Sequence, residues 1–274
     1  MRDGTPPHGR AGTQTAVAIT ATNQLIRFNV GQPSRILSKT ALSGLQPGES
    51  VRGIDFRIAK GQLFALGSSG RLYRVDTASG AAVAVGAPIA MTLSGDELGV
   101  DFNPTVDRLR VVGNTGLNLR LHPDTGAMVD GNPTLYGAQP DAPLAYAAGD
   151  PNAGRMPSVV AAAYTYNKTN EKITTNYAID AAAGTLVMQG SLEGATPVVS
   201  PNTGQLRTVG TLGAGAFKTA AFDIADVSGA AFAALTQTGA SASRWVEIDL
   251  KSGVAKSLGT IGAGEAVRGA AIEP

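Results

Sequence analysis

Three hexapeptides decide how this chain folds: Val51-Arg-Gly-Ile-Asp-Phe56, Glu97-Leu-Gly-Val-Asp-Phe102 and Thr219-Ala-Ala-Phe-Asp-Ile224. Each runs from a small residue through a branched or aromatic one to an aspartate and then a large apolar residue. Val160-Ala-Ala-Ala-Tyr-Thr165 and Val267-Arg-Gly-Ala-Ala-Ile272 are weaker copies. A second short apolar run follows each clear copy: Gln62-Leu-Phe-Ala-Leu-Gly67, Arg108-Leu-Arg-Val-Val-Gly113 and Ala230-Ala-Phe-Ala-Ala-Leu235. A third run closes on a turn, as in Leu72-Tyr-Arg-Val-Asp76-Thr-Ala-Ser-Gly80 and Leu119-Arg-Leu-His122-Pro-Asp-Thr-Gly126. Tyr177-Ala-Ile-Asp180-Ala-Ala-Ala-Gly184 and Val246-Glu-Ile-Asp249-Leu-Lys-Ser-Gly253 read as further third runs, and Leu25-Ile-Arg-Phe-Asn29 matches their strand part. A fourth run comes after the turn, for example Ala82-Val-Ala-Val-Gly86 and Ala255-Lys-Ser-Leu-Gly259.

Short apolar or alternating runs separated by Gly, Asn and Asp read as antiparallel strands, and no segment has the long 3.6-residue period of a helix. The turns have a local mechanism: an Asp carboxylate accepts from amides two residues on, and Gly supplies the positive φ of a bulged hairpin. Units of roughly 40–50 residues are the blade period of a propeller. Pairing 267–272 with 16–42 makes a split unit that closes the ring and removes the exposed edges of an open array. The expectation is an all-β chain, a β-propeller of five four-stranded blades over 15–274, preceded by a flexible tail at 1–14. Six blades is the competing count, because 137–215 is long enough to hide an extra half-blade.

Composition narrows the function. With Cys 0 among 274 residues there is no disulfide scaffold, thiolate metal site or cysteine nucleophile. Basic and acidic residues balance at 22 against 21, so charge gives no reason to expect a nucleic-acid or acidic-membrane partner. No run approaches a membrane helix, and the polar start, Met1 to Arg10, is not a signal peptide. A mature exported chain would look the same. The 35 Gly and 15 Pro fit a protein made of turns.

The stretch from Gly99 to Gly126, Gly99-Val-Asp-Phe-Asn-Pro-Thr-Val-Asp-Arg-Leu-Arg-Val-Val-Gly-Asn-Thr-Gly-Leu-Asn-Leu-Arg-Leu-His-Pro-Asp-Thr-Gly126, closely resembles a bacterial family catalogued as domain of unknown function 4394. Gly53-Ile-Asp-Phe56, Ala147-Ala-Gly-Asp-Pro-Asn-Ala-Gly154, Ala161-Ala-Ala-Tyr-Thr165 and Ala221-Phe-Asp-Ile224 extend the resemblance from about 16 to 272. It implies a propeller-like fold in proteins often exported, hence a secreted or periplasmic location, with the cytoplasm still compatible. It implies no activity. The family usually carries Asn-Asn after Tyr-Thr, where this chain reads Tyr164-Thr-Tyr-Asn-Lys168.

The repeated acid is the first candidate site. Asp55, Asp101 and Asp223 align, with Tyr164 and Ala271 in their place elsewhere, and Gly53, Gly99, Ala162, Ala221 and Gly269 stand two residues earlier. The first strand of a blade lines the channel, so three carboxylates converge near one axis. Such acids raise each other's pKa or call in a hard cation, Ca²⁺ or Mg²⁺, with Asp55, Asp101 and Asp223 as ligands. The alternative is that each accepts from backbone amides of the next blade. As catalytic groups the same three would make a glycosidase-like hydrolase, with Asp101 as base or nucleophile. A ligand-binding set of Asn103, Arg108, Arg110, Asn114 and Tyr164 is the second candidate. Alternation puts Arg108 and Arg110 on one face, to pair with Asp101, Asp107 or a carboxylate or phosphate ligand. The expected partner is thus a small molecule or protein at the channel face; a purely structural scaffold is the third reading. Asp150-Pro-Asn152-Ala-Gly154 begins like a calcium loop without its closing Glu, and reads as an inter-blade turn. His122 reads as a turn residue and Trp245 as packing.

Overall fold

The computed structural model describes residues 8–274. The chain opens with β1 (Thr15–Thr20), β2 (Gln24–Asn29) and β3 (Ile36–Ala41). A four-stranded meander follows: β4 (Val51–Arg57), β5 (Gln62–Gly67), β6 (Leu72–Val75) and β7 (Ala82–Val85). Next come β8 (Leu98–Asn103), β9 (Arg108–Gly113) and β10 (Asn118–Leu121), then the two-residue β11 (Ala145–Tyr146). The remaining strands are β12 (Val159–Tyr164), β13 (Asn176–Asp180), β14 (Thr185–Gln189) and β15 (Gln205–Thr211), then β16 (Phe217–Ile224), β17 (Ala231–Gln237), β18 (Ser243–Ile248) and β19 (Ala255–Thr260), and last β20 (Val267–Ile272). They form five sheets, with β20 pairing antiparallel to β1 to complete the first. The ring is therefore a five-bladed propeller closed by its two ends, as the repeat predicts.

The innermost strands β4, β8, β12, β16 and β20 pack against one another around the axis. Crowding explains their small residues: a Cβ at Gly99 would stand 2.5 Å from the Ala161 Cα, and one at Gly269 would stand 2.8 Å from the Ile54 nitrogen. Between blades the core is apolar. Trp245 is fully buried, stacked on Phe232 at 5.6 Å and edge-on to Phe28 at 5.1 Å, and its indole N–H donates to Val30 O. That is the packing role expected of it.

The hairpin turns work as read. Asp76 Oδ1 accepts from Ala78 and Ser79 N, Asp180 Oδ1 from Ala182 and Ala183 N, and Asp249 Oδ1 from Lys251 and Ser252 N. His122 Nδ1 takes the same place, accepting from Asp124 N. Gly80, Gly126, Gly184 and Gly253 close these turns with φ between +64° and +79°.

Blade composition departs from four strands each. After one bridge from Leu121 to Met128, the segment that would be a fourth strand leaves the β8–β10 blade. It crosses to the next blade, where β11 adds to β15 in parallel and makes a five-stranded sheet. The long 137–215 region holds this crossing and not a sixth blade. In that blade Tyr177–Asp180 lies on the second strand, β13, and not the third, because β13 pairs directly with the inner strand β12. Residues 1–7 of the expected tail lie outside the described residues. Residues 8–14 run along the turn after β2, where Gly12 and Asn29 exchange two hydrogen bonds of 2.7 and 2.9 Å. Among the described residues no helix is long and apolar enough to cross a membrane.

Candidate functional site

One end of the ring carries both candidate clusters. At the channel mouth Asp55, Asp101 and Asp223 are buried, and one oxygen from each lies within 4.8 Å of the others. An innermost strand has no neighbour on its axial edge, so its inward amides need an acceptor. These carboxylates supply it. Asp55 Oδ1 accepts from Phe56 N at 2.7 Å and Oδ2 from Phe102 N of the next blade at 2.6 Å. Asp101 Oδ1 accepts from Tyr164 N at 2.9 Å. Asp223 Oδ1 accepts from Ile224 N at 2.6 Å and Oδ2 from Ile272 N at 2.5 Å. Thus one amide in each of the five inner strands is satisfied by three carboxylates, and only Asp101 Oδ2 makes no hydrogen bond among the described residues. Two blades lack the acid without leaving an amide unmet.

The same bonding corrects the alignment of one blade. Tyr164 N does for Asp101 what Phe102 N does for Asp55, so Tyr164 is equivalent to Phe102 and Ala163 holds the acid's place. The irregularity in β12 between Val159 and Ala161 shifts the pattern by one residue. Accordingly it is Ala161, not Ala162, that faces Gly99.

Burial, with the charge of Asp223 next, pushes the Asp55 carboxyl well above its usual range. Burial followed by the charges of Asp55 and Asp223 does the same to Asp101. Burial lifts Asp223 to about 6, and burial plus Asp223 lifts the neighbouring Asp226 to about 7. No ion pair among the described residues reaches any of the four. The space they enclose is about 10 Å³, the size of one water.

The second cluster lies between the β8–β10 and β12–β15 blades, in a cavity of about 500 Å³. Asn103, Arg108 and Arg110 line it, as the strand alternation predicts, together with Arg120 and Lys172. Arg110 is the directly opposed partner of Asp101 on one side and of Arg120 on the other, so all three project from one face of the sheet. Its guanidinium is 1% exposed and donates to Tyr164 Oη (3.1 Å), Asn118 Oδ1 (2.8 Å), Asp141 Oδ2 (2.6 Å) and Asn202 Oδ1 (2.6 Å). Arg120 binds the same carboxylate in a fork, Nε to Oδ2 at 2.8 Å and Nη2 to Oδ1 at 2.7 Å. Two arginines therefore share one acid, Asp141. Arg108 donates through Nη1 to the carbonyls of Val106 and Asp107 and reaches no carboxylate among the described residues. Asp107, an expected partner, instead pairs with Arg57, which also binds Asp124.

Asn114 is not brought to this cavity. It follows β9 at the opposite end of the blade from Arg108, and its backbone N donates to Glu97 O. Tyr164 stands behind the wall, its amide on Asp101 and its hydroxyl on Arg110. Sequence reading missed Asp141 and Asn202, which come from the irregular crossing and from the β14–β15 loop. Asp150 serves as a tie: it accepts from Asn152 N, Thr208 N and Thr208 Oγ1. A second cavity of about 500 Å³, lined by Pro88, Ile89, Met91, Met128 and Pro140, has no charged side chain in its lining among the described residues.

Solved structures support the fold. A chain of a nidogen/laminin complex superposes with a TM-score of 0.51 at 11% identity, over 96% of this chain and 99% of that one. A structural-genomics protein of unknown function from Bacteroides thetaiotaomicron gives a TM-score of 0.50 at 15% identity, over 96% of this chain and 66% of that one. At these identities the likeness is one of fold alone. Comparison with curated proteins gives no match. Residues 24–271 match a family described as domain of unknown function (DUF4394), and the chain belongs to that family.

Proposed function

We propose that the protein binds a small ligand in the cavity between the β8–β10 and β12–β15 blades, with Asn103, Arg108 and Arg110 in its wall and Tyr164 supporting Arg110. One observation carries this reading: a pocket of ligand size, about 500 Å³, is walled by Arg110, fixed from behind by Asp141, Asn118, Asn202 and Tyr164, by Arg120, forked on the same Asp141, and by Arg108 beside them. Side chains locked by buried partners present their remaining groups at fixed positions, which lowers the ordering cost of binding. A fragment soak of crystals tests it. Fragments should collect in this cavity and vanish from Ser191→Trp, which fills it; fragments spread over other surfaces, unaffected by that change, would refute the proposal. An exported location, secreted or periplasmic, goes with this reading on the strength of the family resemblance, and cell fractionation checks it.

A divalent cation at the channel mouth is the second reading. It is favoured by four uncompensated carboxylates and by oxygens no further apart than about twice a calcium–oxygen bond of roughly 2.4 Å. Asp55, Asp101 and Asp223 would hold Ca²⁺ or Mg²⁺, with Asp101 Oδ2 the one oxygen not already accepting. A rise in melting temperature on adding Ca²⁺, reversed by EDTA, supports it; no response to either removes it. The hydrolase alternative is weaker, since a sugar ring does not enter a space of about 10 Å³ between these carboxylates.

A further inference from the structure

We infer that the ligand of this pocket is a small organic acid or phosphate monoester, its anionic head on Arg108, Arg120 and Lys172 and its apolar body along Val106, Ile173, Leu192 and Val198; this rests on the pocket reading above. The hydrogen bonds left unmade carry the inference. Arg108 Nε and Nη2, Arg120 Nη1, Lys172 Nζ, Asn103 Nδ2 and Asn202 Nδ2 make no hydrogen bond among the described residues. All of these are donors. Both asparagines face the pocket this way because their Oδ1 atoms are already occupied, Asn103 by Thr105 and Asn202 by Arg110.

Carboxylates are scarce on the same wall. Glu193 is the one carboxylate in it, and it already accepts from Asn167 and Thr165. Charge points the same way. Among the described residues the lining sets Arg108, Arg110, Arg120 and Lys172 against Glu193, and Asp141 pairs with two of them from behind, an excess of two positive charges. A ligand must therefore bring acceptors and negative charge, and planar guanidinium forks suit carboxylate and phosphate oxygens. The rim is apolar and open to solvent on both sides: Val106 beside Arg108 is 54% exposed, and across the cavity Leu192 is 51% and Val198 78% exposed. Among the described residues no aromatic side chain lines the cavity, so a stacked sugar is poorly served.

Calorimetry in low-salt, phosphate-free buffer with one apolar body and four heads tests the inference. The probes are 4-phenylbutanoate, 4-phenylbutyl phosphate, 4-phenylbutanamide and 4-phenylbutylamine. The carboxylate, the phosphate or both should bind at least about tenfold more tightly than the amide and the amine, through charge-assisted hydrogen bonds. Which of the two anions binds better separates the acid from the phosphate ester. Arg108→Gln, which breaks no ion pair, should weaken the anions about tenfold and leave the melting temperature in place, whereas Arg110 variants confound binding with folding. Equal binding of amide and anion in the cavity overturns the anionic head while leaving the pocket reading standing. Binding of no probe, or binding indifferent to Arg108→Gln, also overturns the inference, and the fragment soak then decides the pocket separately.

Discussion

Two charged clusters share one end of this propeller, and Tyr164 touches both: its amide bonds Asp101 in the channel and its hydroxyl meets Arg110 beside the pocket. In the channel, donors and acceptors nearly cancel. Five inward amides meet three carboxylates, and a single oxygen is left over. In the pocket the balance is open, for two arginines share Asp141 and Arg108 pairs with no acid among the described residues. Buried charge alone therefore does not mark a binding site; unmet hydrogen-bonding capacity facing a cavity does. The acids of the channel hold blades together, and Asp141 holds two of the pocket's arginines in place.

Breaking the buried end of the arginine row has the largest expected effect. Arg110→Met strands Asn202 Oδ1 and leaves Asp141 with one cation, so it should cost about 3–5 kcal/mol in urea unfolding. A loss below about 1 kcal/mol would mean the row is not fixed from behind. Next is Asp223→Ala, which strips the acceptor from the Ile224 and Ile272 amides. Each unmet amide costs about 1–3 kcal/mol, partly offset by relief of crowding among like charges, so a net loss of about 2 kcal/mol is expected. An unchanged or raised stability would show that the ring serves something other than blade contacts.

The pH dependence is smaller, and its sign is diagnostic. An unfolded Asp titrates near 3.8, while Asp223 sits at about 6, Asp226 at about 7, and Asp55 and Asp101 well above the usual range. The native chain thus holds more protons than the unfolded chain across this window. Stability from these groups is full below about pH 4 and is lost as pH rises through 6 and 7. The urea midpoint should be higher at pH 5 than at pH 7.5, and Asp226→Asn should flatten the difference. A midpoint that climbs with pH would contradict the uncompensated ring. The smallest effect on stability belongs to Arg108→Gln, within about 0.5 kcal/mol by thermal unfolding, because its guanidinium holds only two nearby carbonyls.

The ring, its closure and the hairpin turns were legible because each blade repeats a local rule, such as Asp76 and Asp180 capping their own turns. Half of the pocket was legible too: Arg108 and Arg110 alternate onto one face. What escaped came from breaks in the repeat. The shift in β12 hid Ala163, the acid's true counterpart, and made Tyr164 look like its substitute. Asp141 and Asn202 lie 31 and 92 residues from Arg110, on a crossing segment and a loop with no repeat partner. Nothing local in the sequence predicts such contacts.

The most direct test follows backbone amide resonances while 4-phenylbutanoate is added. The account predicts shifts at Arg108, Arg110, Leu192, Glu193 and Asn202, around the open donors, with Phe56, Ile224 and Ile272 in the channel unmoved. Shifts confined to the channel amides, with the pocket silent, would contradict it.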